Sequence, residues 1–211
     1  MKVLEKFLIG YYNYTVIATY FGGMAAIYGI YLCAQGDAFG AVLCLLFAGC
    51  MDMIDGKIAS TMKRTSGEKA FGIQIDSLCD LISFGVLPAM IGYAIGLRST
   101  FAIAVMIAFV MAALIRLAYF NVDEFERQQK TTERRKYYEG MPVTTTAVLI
   151  PIIYVLRAAM GSFFPIFYCI ALMLIACAFL LRFRLPKPGT GGLIVCGFVG
   201  IMLLIALFTL K

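Results

Sequence analysis

The 211-residue sequence contains no histidine. Proton transfer must therefore fall to carboxylates, Lys, Tyr, Cys or water, and any metal site must be built from oxygen or thiolate ligands. The seven cysteines (33, 44, 50, 79, 169, 177 and 196) form no C-x-x-C pair, and their odd number excludes a complete disulfide framework. They sit in or beside apolar runs and read as small, buried, reduced packing residues. Charge is scarce. Charged residues make up 14% of the chain and hydrophobic ones 62%, with a mean hydropathy of +0.91. Soluble domains are usually about 45–50% apolar, so a soluble fold is excluded. There is no separate basic domain either. Lys and Arg flank the apolar runs, which excludes a nucleic-acid binder. The opening stretch MKVLEKFLIGYYN has charges at Lys2, Glu5 and Lys6 but no small-residue cleavage site, so no cleavable signal peptide is expected.

What the chain does have is a succession of apolar runs, each roughly 20 residues long, enough to cross a bilayer. The expected fold is an all-α integral membrane protein. It is a polytopic helical bundle in one domain, 1–211, with about seven transmembrane helices. The spans are expected at 14–34, 38–61, 70–97, 99–122, 142–159, 163–182 and 190–210. Residues 1–12 read as an amphipathic helix lying on the membrane surface, with Val3, Leu4, Phe7 and Leu8 on its apolar side. The breaks are "AQGD", "GLRST", the polar segment "DEFERQQKTTERRKYYEG" and "RFRLPKPGTGG". With the N-terminus in the cytoplasm, fourteen of the eighteen Lys and Arg fall on that side. Such a bias sets topology. The net charge of +6 is then a cytoplasmic feature suited to anionic headgroups.

Against this apolar background, four aspartates lie within one short stretch. Asp52, Asp55, Gly56 and Ala59 are spaced i, i+3, i+4, i+7, on one face near the cytoplasmic end of span two. Gly72, Asp76 and Asp80 are spaced i, i+4, i+8 at the cytoplasmic start of span three. The two spans are antiparallel, so the faces can oppose each other. Carboxylates are rarely tolerated within spans. Four of them together must protonate or bind cations. Oxygen-only ligands favour Mg2+, Mn2+ or Ca2+, and more carboxylates than one ion needs point to two ions. Two-metal sites suit phosphoryl chemistry. Gly56, Ala59 and Gly72 clear space for something flat or bulky to approach the backbone.

This pattern resembles the signature of the CDP-alcohol phosphatidyltransferase family, D-x2-D-G-x2-A-R-x8-G-x3-D-x3-D. Here it runs Asp52, Asp55, Gly56, Ala59, Gly72, Asp76, Asp80. Two departures stand out. Ser60 occupies the arginine position, and eleven residues separate it from Gly72. Arg64, one helical turn beyond Ser60, is the candidate replacement, ahead of Lys63. "IDSLCDLISFGVLPA", "LIRLAYFNV" and "YYEGMPVTTTA" resemble segments of the phosphatidylserine synthase subfamily. "NYTVIATYFGG" sits where the family's P-N-x-x-T-x-x-N segment opens span one, without the proline and with Tyr20 read at the second asparagine.

The resemblance implies a six-helix core over 13–185 and an extra C-terminal span over 186–211. It implies transfer of a phosphatidyl group from CDP-diacylglycerol, or CDP-archaeol, to L-serine, giving phosphatidylserine, or archaetidylserine, and CMP. It implies two divalent cations held by Asp52, Asp55, Asp76 and Asp80, with Asp80 also the general base. The CDP-lipid is expected at Gly56, Ala59, Ser60, Arg64, Gly72 and Thr15. The serine carboxylate needs Arg or Lys and its ammonium an acceptor. Arg116, Asn121, Ser83 and Glu139 are the candidates. Arg116 alternatively pairs with an aspartate, and Glu139 is alternatively a solvated loop residue. A homodimer is also implied, with Gly92 and Gly96 offering close helix contact. Two other readings remain open: the same chemistry with glycerol 3-phosphate, inositol phosphate or an amino alcohol as acceptor, and a divalent-cation transporter.

Overall fold

The short polar breaks of the sequence become the turns of a helical bundle. The computed structural model describes residues 9–11, 14–59, 61, 64–130, 137–186 and 190–209. The expected interfacial helix at 1–12 falls almost wholly outside the described residues. Nine α-helices and two three-residue strands are seen among the described residues: α1 Ile17–Ala34, α2 Ala38–Ala59, α3 Ser66–Asp80, α4 Leu87–Ala94, α5 Thr100–Lys130, β1 Tyr137–Glu139, α6 Thr146–Val155, α7 Arg157–Met160, α8 Phe164–Leu180, β2 Arg184–Pro186 and α9 Thr190–Thr209. Among the described residues, five helical stretches are long and apolar enough to cross a bilayer: Ile17–Ala34, Ala38–Ile58, Ser66–Ala94, Thr100–Arg127 and Arg157–Leu180. Val143–Val155 and Gly197–Thr209 are shorter apolar helices. The seven runs read from the sequence all become helix, in a polytopic membrane bundle.

The α1–α2 turn shows how few residues reverse the chain. Gly36 adopts φ +81°, which glycine takes without steric cost. Its N–H donates to the Cys33 carbonyl, and the Asp37 N–H donates to Leu32. This closes α1 with a Schellman motif. The Asp37 carboxylate then accepts from the Gly40 N–H at 2.9 Å and caps α2. Gly96 closes α4 the same way, with Leu97 N–H donating to Gly92 and Gly96 N–H to Tyr93.

Several boundaries differ from expectation. Span three starts at Ser66, not 70, because Thr65 and Glu68 form a capping box: the Glu68 N–H donates to Thr65 Oγ1 at 3.3 Å, and the Thr65 N–H to Glu68 Oε2 at 2.8 Å. Span four does not end at 122. α5 continues to Lys130, so the first part of the polar segment is helix, and the Arg127–Glu124 pair at 2.6 Å supports that extension. The strands were not anticipated. β1 pairs antiparallel with β2, placing Glu139 opposite Arg184 and joining the α5–α6 and α8–α9 connections. The packing reading of the cysteines holds for Cys33 and Cys169, which are buried, but Cys50 and Cys177 are exposed on the outer helix surface.

α3 and α4 are halves of one span, joined by a π-helical turn over Leu81–Val86. Pro88 follows it and has no N–H, so the Phe84 carbonyl loses its usual helical donor. The buried Thr146 hydroxyl lies within donating distance of that carbonyl at 3.2 Å and of the Val143 carbonyl at 2.9 Å, tying span three to the start of α6. Tyr168, fully buried on α8, donates to the Pro88 carbonyl at 2.8 Å. α1 lies along α2, α5 packs on α8, and α6 sits against α2 and α9. The core between them holds Leu45, Ile91, Phe109, Ile150 and Leu172, all fully buried. Gly92 belongs to this interior: a Cβ there would lie 3.2 Å from the Tyr168 ring. It therefore offers no outward face for a second copy, contrary to the sequence reading.

Candidate functional site

The aspartates sit where two helices with opposite chain direction present one carboxylate face each. On α2, Asp52 and Asp55 follow the apolar segment that packs on α1. On α3, Asp76 and Asp80 end the helix just before the π-turn. Wide turns of this kind recur at functional sites, because they redirect side chains without ending the helix. Carboxylate oxygens of Asp52, Asp76 and Asp80 all lie within 4.8 Å of one another. Asp55 is buried on the same face of α2 as Asp52. Its Oδ2 accepts a hydrogen bond of 2.9 Å from the Thr19 hydroxyl.

Asp52, Asp55 and Asp80 line a small open cleft, walled also by Thr19, Gly22 and Gly23 of α1, Ala48 of α2, and Cys79, Ser83 and Phe84 of span three. Like charges this close need a countercharge. The donor set is hard oxygen without imidazole, which fits Mg2+, Mn2+ or Ca2+ rather than softer ions. The residues present thus fit a divalent-cation site.

Beyond the cleft, towards the helix ends that carry the charged residues, small residues lie on both helices. Gly56 is exposed, and a Cβ there would meet nothing within 4 Å. Opposite, Arg64 lies along Gly72, its Nη1 3.1 Å from where a Gly72 Cβ would be. Arg64 Nε is buried and has no hydrogen-bond partner. A buried guanidinium N–H left without an acceptor is costly, so this cation stands ready for an anion. Seven residues separate Arg64 from Gly72, close to the eight of the family signature, whereas Ser60 is eleven away. Ser60 lies outside the described residues. Ala59 ends α2, and Thr15 belongs to a short 3-10 turn, Tyr14–Val16, that leads into α1.

The four serine candidates are not brought together equally. Ser83 is buried in the acidic cleft. Asn121 Oδ1 accepts from the Ser77 hydroxyl at 3.0 Å, which ties it to α3. Arg116 is buried, and its guanidinium donates to the carbonyls of Met141 at 3.1 Å and Gly140 at 3.5 Å. It thus holds the turn that follows β1. Glu139 is exposed on that strand and accepts from the Tyr119 hydroxyl at 3.3 Å, with the Arg182 guanidinium over the Tyr119 ring. Sequence reasoning missed Thr19 and Ser77. For Thr19 a signal existed. Counting P-N-x-x-T-x-x-N from Asn13 puts Thr19, not Tyr20, at the second asparagine.

The sequence model of CDP-alcohol phosphatidyltransferases matches residues 13–183, most of the chain. The chain belongs to the CDP-alcohol phosphatidyltransferase family. Within it, the chain is 36% identical over 140 residues to the CDP-diacylglycerol–serine O-phosphatidyltransferase of Saccharomyces cerevisiae, covering 63% of this chain and 50% of that protein. It is 32% identical over 126 residues to the archaetidylserine synthase of Methanothermobacter thermautotrophicus, covering 59% and 50%. A Bacillus subtilis CDP-diacylglycerol–serine O-phosphatidyltransferase is 24% identical over 139 residues, covering 65% and 71%. The matched segment thus spans about half the length of the first two relatives. β2 and α9 lie beyond the family match, yet β2 pairs with β1, and α9 packs Phe208 against Phe39 of α2.

Proposed function

We propose that this family member transfers the phosphatidyl group of a CDP-linked lipid, CDP-diacylglycerol or CDP-archaeol, to the hydroxyl of L-serine. The observation that carries the reading is the gathering of the Asp52, Asp76 and Asp80 carboxylates within 4.8 Å, with Asp55 alongside. The names of the yeast, Bacillus and archaeal relatives favour serine as acceptor.

Asp52, Asp55, Asp76 and Asp80 would hold two divalent cations, Mg2+ or Mn2+. Bound there, the cations supply neutralisation of the diphosphate and of the departing CMP. The rest falls to side chains. Arg64, with its unsatisfied Nε, binds the nucleotide diphosphate beside Gly72, while the open surface at Gly56 admits the cytidine. The serine hydroxyl is a weak nucleophile and needs a positioned base. Asp80 takes its proton as the serine Oγ–phosphorus bond forms at the lipid-linked phosphate. The phosphorus–oxygen bond to CMP breaks, and CMP leaves with that electron pair. Ser83, in the acidic cleft, and Asn121, bonded to Ser77 of α3, would receive serine. The bias of Lys and Arg supports a cytoplasmic N-terminus and a site opening to the cytoplasm, in the cytoplasmic membrane. The family resemblance supports a homodimer, through a face other than that of Gly92.

The test is CMP release by purified protein with CDP-diacylglycerol, Mn2+ or Mg2+, and a panel of acceptor alcohols. Release that depends on L-serine is expected. Release with glycerol 3-phosphate or inositol phosphate but not with serine would transfer the chain to another branch of the family.

A further inference from the structure

The first span carries no acid, yet it reaches the carboxylate cluster. Thr19, Gly22, Gly23 and Ala26 are spaced i, i+3, i+4, i+7 on α1, and all four are buried. A Cβ on Gly22 would lie 3.3 Å from the Met51 Cβ, beside Asp52. A Cβ on Gly23 would lie 2.9 Å from Cys79 Sγ, beside Asp80. The glycine pair therefore lets α1 lie against both aspartate-bearing helices at once. That approach carries the Thr19 hydroxyl to Asp55 Oδ2, with Thr19 7% and Asp55 8% exposed. Asp55 is the carboxylate outside the tight group of Asp52, Asp76 and Asp80.

We propose that Thr19 is a positioning residue of the metal site, acting through Asp55. A carboxylate at the end of a side chain can rotate. A donated hydrogen bond on Oδ2 restricts that freedom and leaves Oδ1 of Asp55, a residue of the cleft wall, to act as a ligand. Among the described residues, the hydroxyl is also the only polar side-chain group that α1 contributes to the cleft wall, since its neighbours there are Gly22 and Gly23. Partners of this kind, one bond removed from the ligand, commonly change metal affinity by about 10–100-fold. The proposal rests on the reading of the cluster as a divalent-cation site.

The experiment titrates Mn2+ into the purified full chain in nanodiscs, without lipid substrate, and reads free Mn2+ by electron paramagnetic resonance. Thr19→Val keeps the shape and removes the donor. It is expected to weaken Mn2+ binding by about tenfold or more, and Thr19→Ser to stay within about twofold of wild type. In turnover, Thr19→Val should need more Mn2+ for half-maximal CMP release, with the rate recovering at high Mn2+. On an Asp55→Asn background, Thr19→Val should add no further loss. Wild-type Mn2+ affinity in Thr19→Val overturns the role of Thr19 alone. Equal losses in the Val and Ser variants, or a full further loss on the Asp55→Asn background, assign Thr19 to packing and overturn it too. A wild-type chain that binds no Mn2+ overturns the metal reading itself, and this proposal with it.

Discussion

Replacing Asp80 by Asn separates a base from a ligand, and the structure sets the scale of two opposing effects. Oxygens of Asp52, Asp76 and Asp80 lie within 4.8 Å of one another. Two unit charges at that distance repel by about 3.5 kcal/mol at an effective dielectric constant of about 20. Without cations and with all three groups ionised, Asp80 carries two such repulsions, about 7 kcal/mol together, which Asn at this position removes. Proton uptake by the cluster reduces the realised gain. A relief of even about 1 kcal/mol moves the midpoint of a chain of this size by about 2–4 °C. In chelator, Asp80→Asn should therefore melt higher than wild type. In Mn2+ the order should narrow or reverse, because wild type gains more from the cation. Chemistry responds differently. An amide cannot take the serine proton, so transfer should fall by about 10²–10⁴-fold, the usual worth of a positioned base. CDP-lipid affinity at fixed Mn2+ should largely persist, whereas Asp52→Asn should lose both binding and transfer. The assays are melting with and without EDTA, CDP-lipid titration, and single-turnover CMP formation at saturating serine. If Asp80→Asn loses binding as fully as Asp52→Asn, Asp80 is chiefly a ligand and the base lies elsewhere. If it transfers at near wild-type rate, the proposed central step is wrong. A lower midpoint in chelator would refute the electrostatic reasoning.

Three further outcomes are expected. Activity should vanish in excess EDTA and return with Mg2+ or Mn2+, since four carboxylates without histidine suit hard cations; full activity in EDTA contradicts the two-cation site. Arg64→Ala should weaken binding of a CDP-lipid analogue by about tenfold, the scale of a lost charge-assisted hydrogen bond, while Ser60→Ala changes it little; equal affinity in wild type and the Arg64 variant removes Arg64 from the diphosphate site. A Cβ at Gly49 would lie 2.6 Å from the Ala147 Cβ, so Gly49→Val should force α2 and α6 apart and cost about 1–3 kcal/mol; an unchanged melting midpoint would show that the seam yields freely.

Hydropathy by itself determined the class of this protein and the place of its seven apolar helices. Burying apolar side chains in lipid and satisfying the backbone within each helix leave few other solutions. The aspartate register was legible for a similar reason: helical spacing places Asp52 with Asp55, and Asp76 with Asp80, before any tertiary contact exists. Helix ends were less legible. Thr65 with Glu68 is a local capping signal that the hydropathy of the span concealed, and the amphipathic end of α5 looks like loop when only apolar runs are counted. The remaining features belong to tertiary structure. Thr19 meets Asp55 across 36 residues, Ser77 meets Asn121 across 44, and Thr146 meets Phe84 across 62. Arg116 could be read from its position as a ligand for substrate, but its buried guanidinium has the Gly140 and Met141 carbonyls within reach. Arg64 gained its case in the opposite way. Folding leaves its Nε buried beside Gly72 with no acceptor. Such pairings depend on which helices touch and how closely small residues let them approach. A linear pattern shows which face of a helix is available, and only the packed bundle decides what stands opposite it.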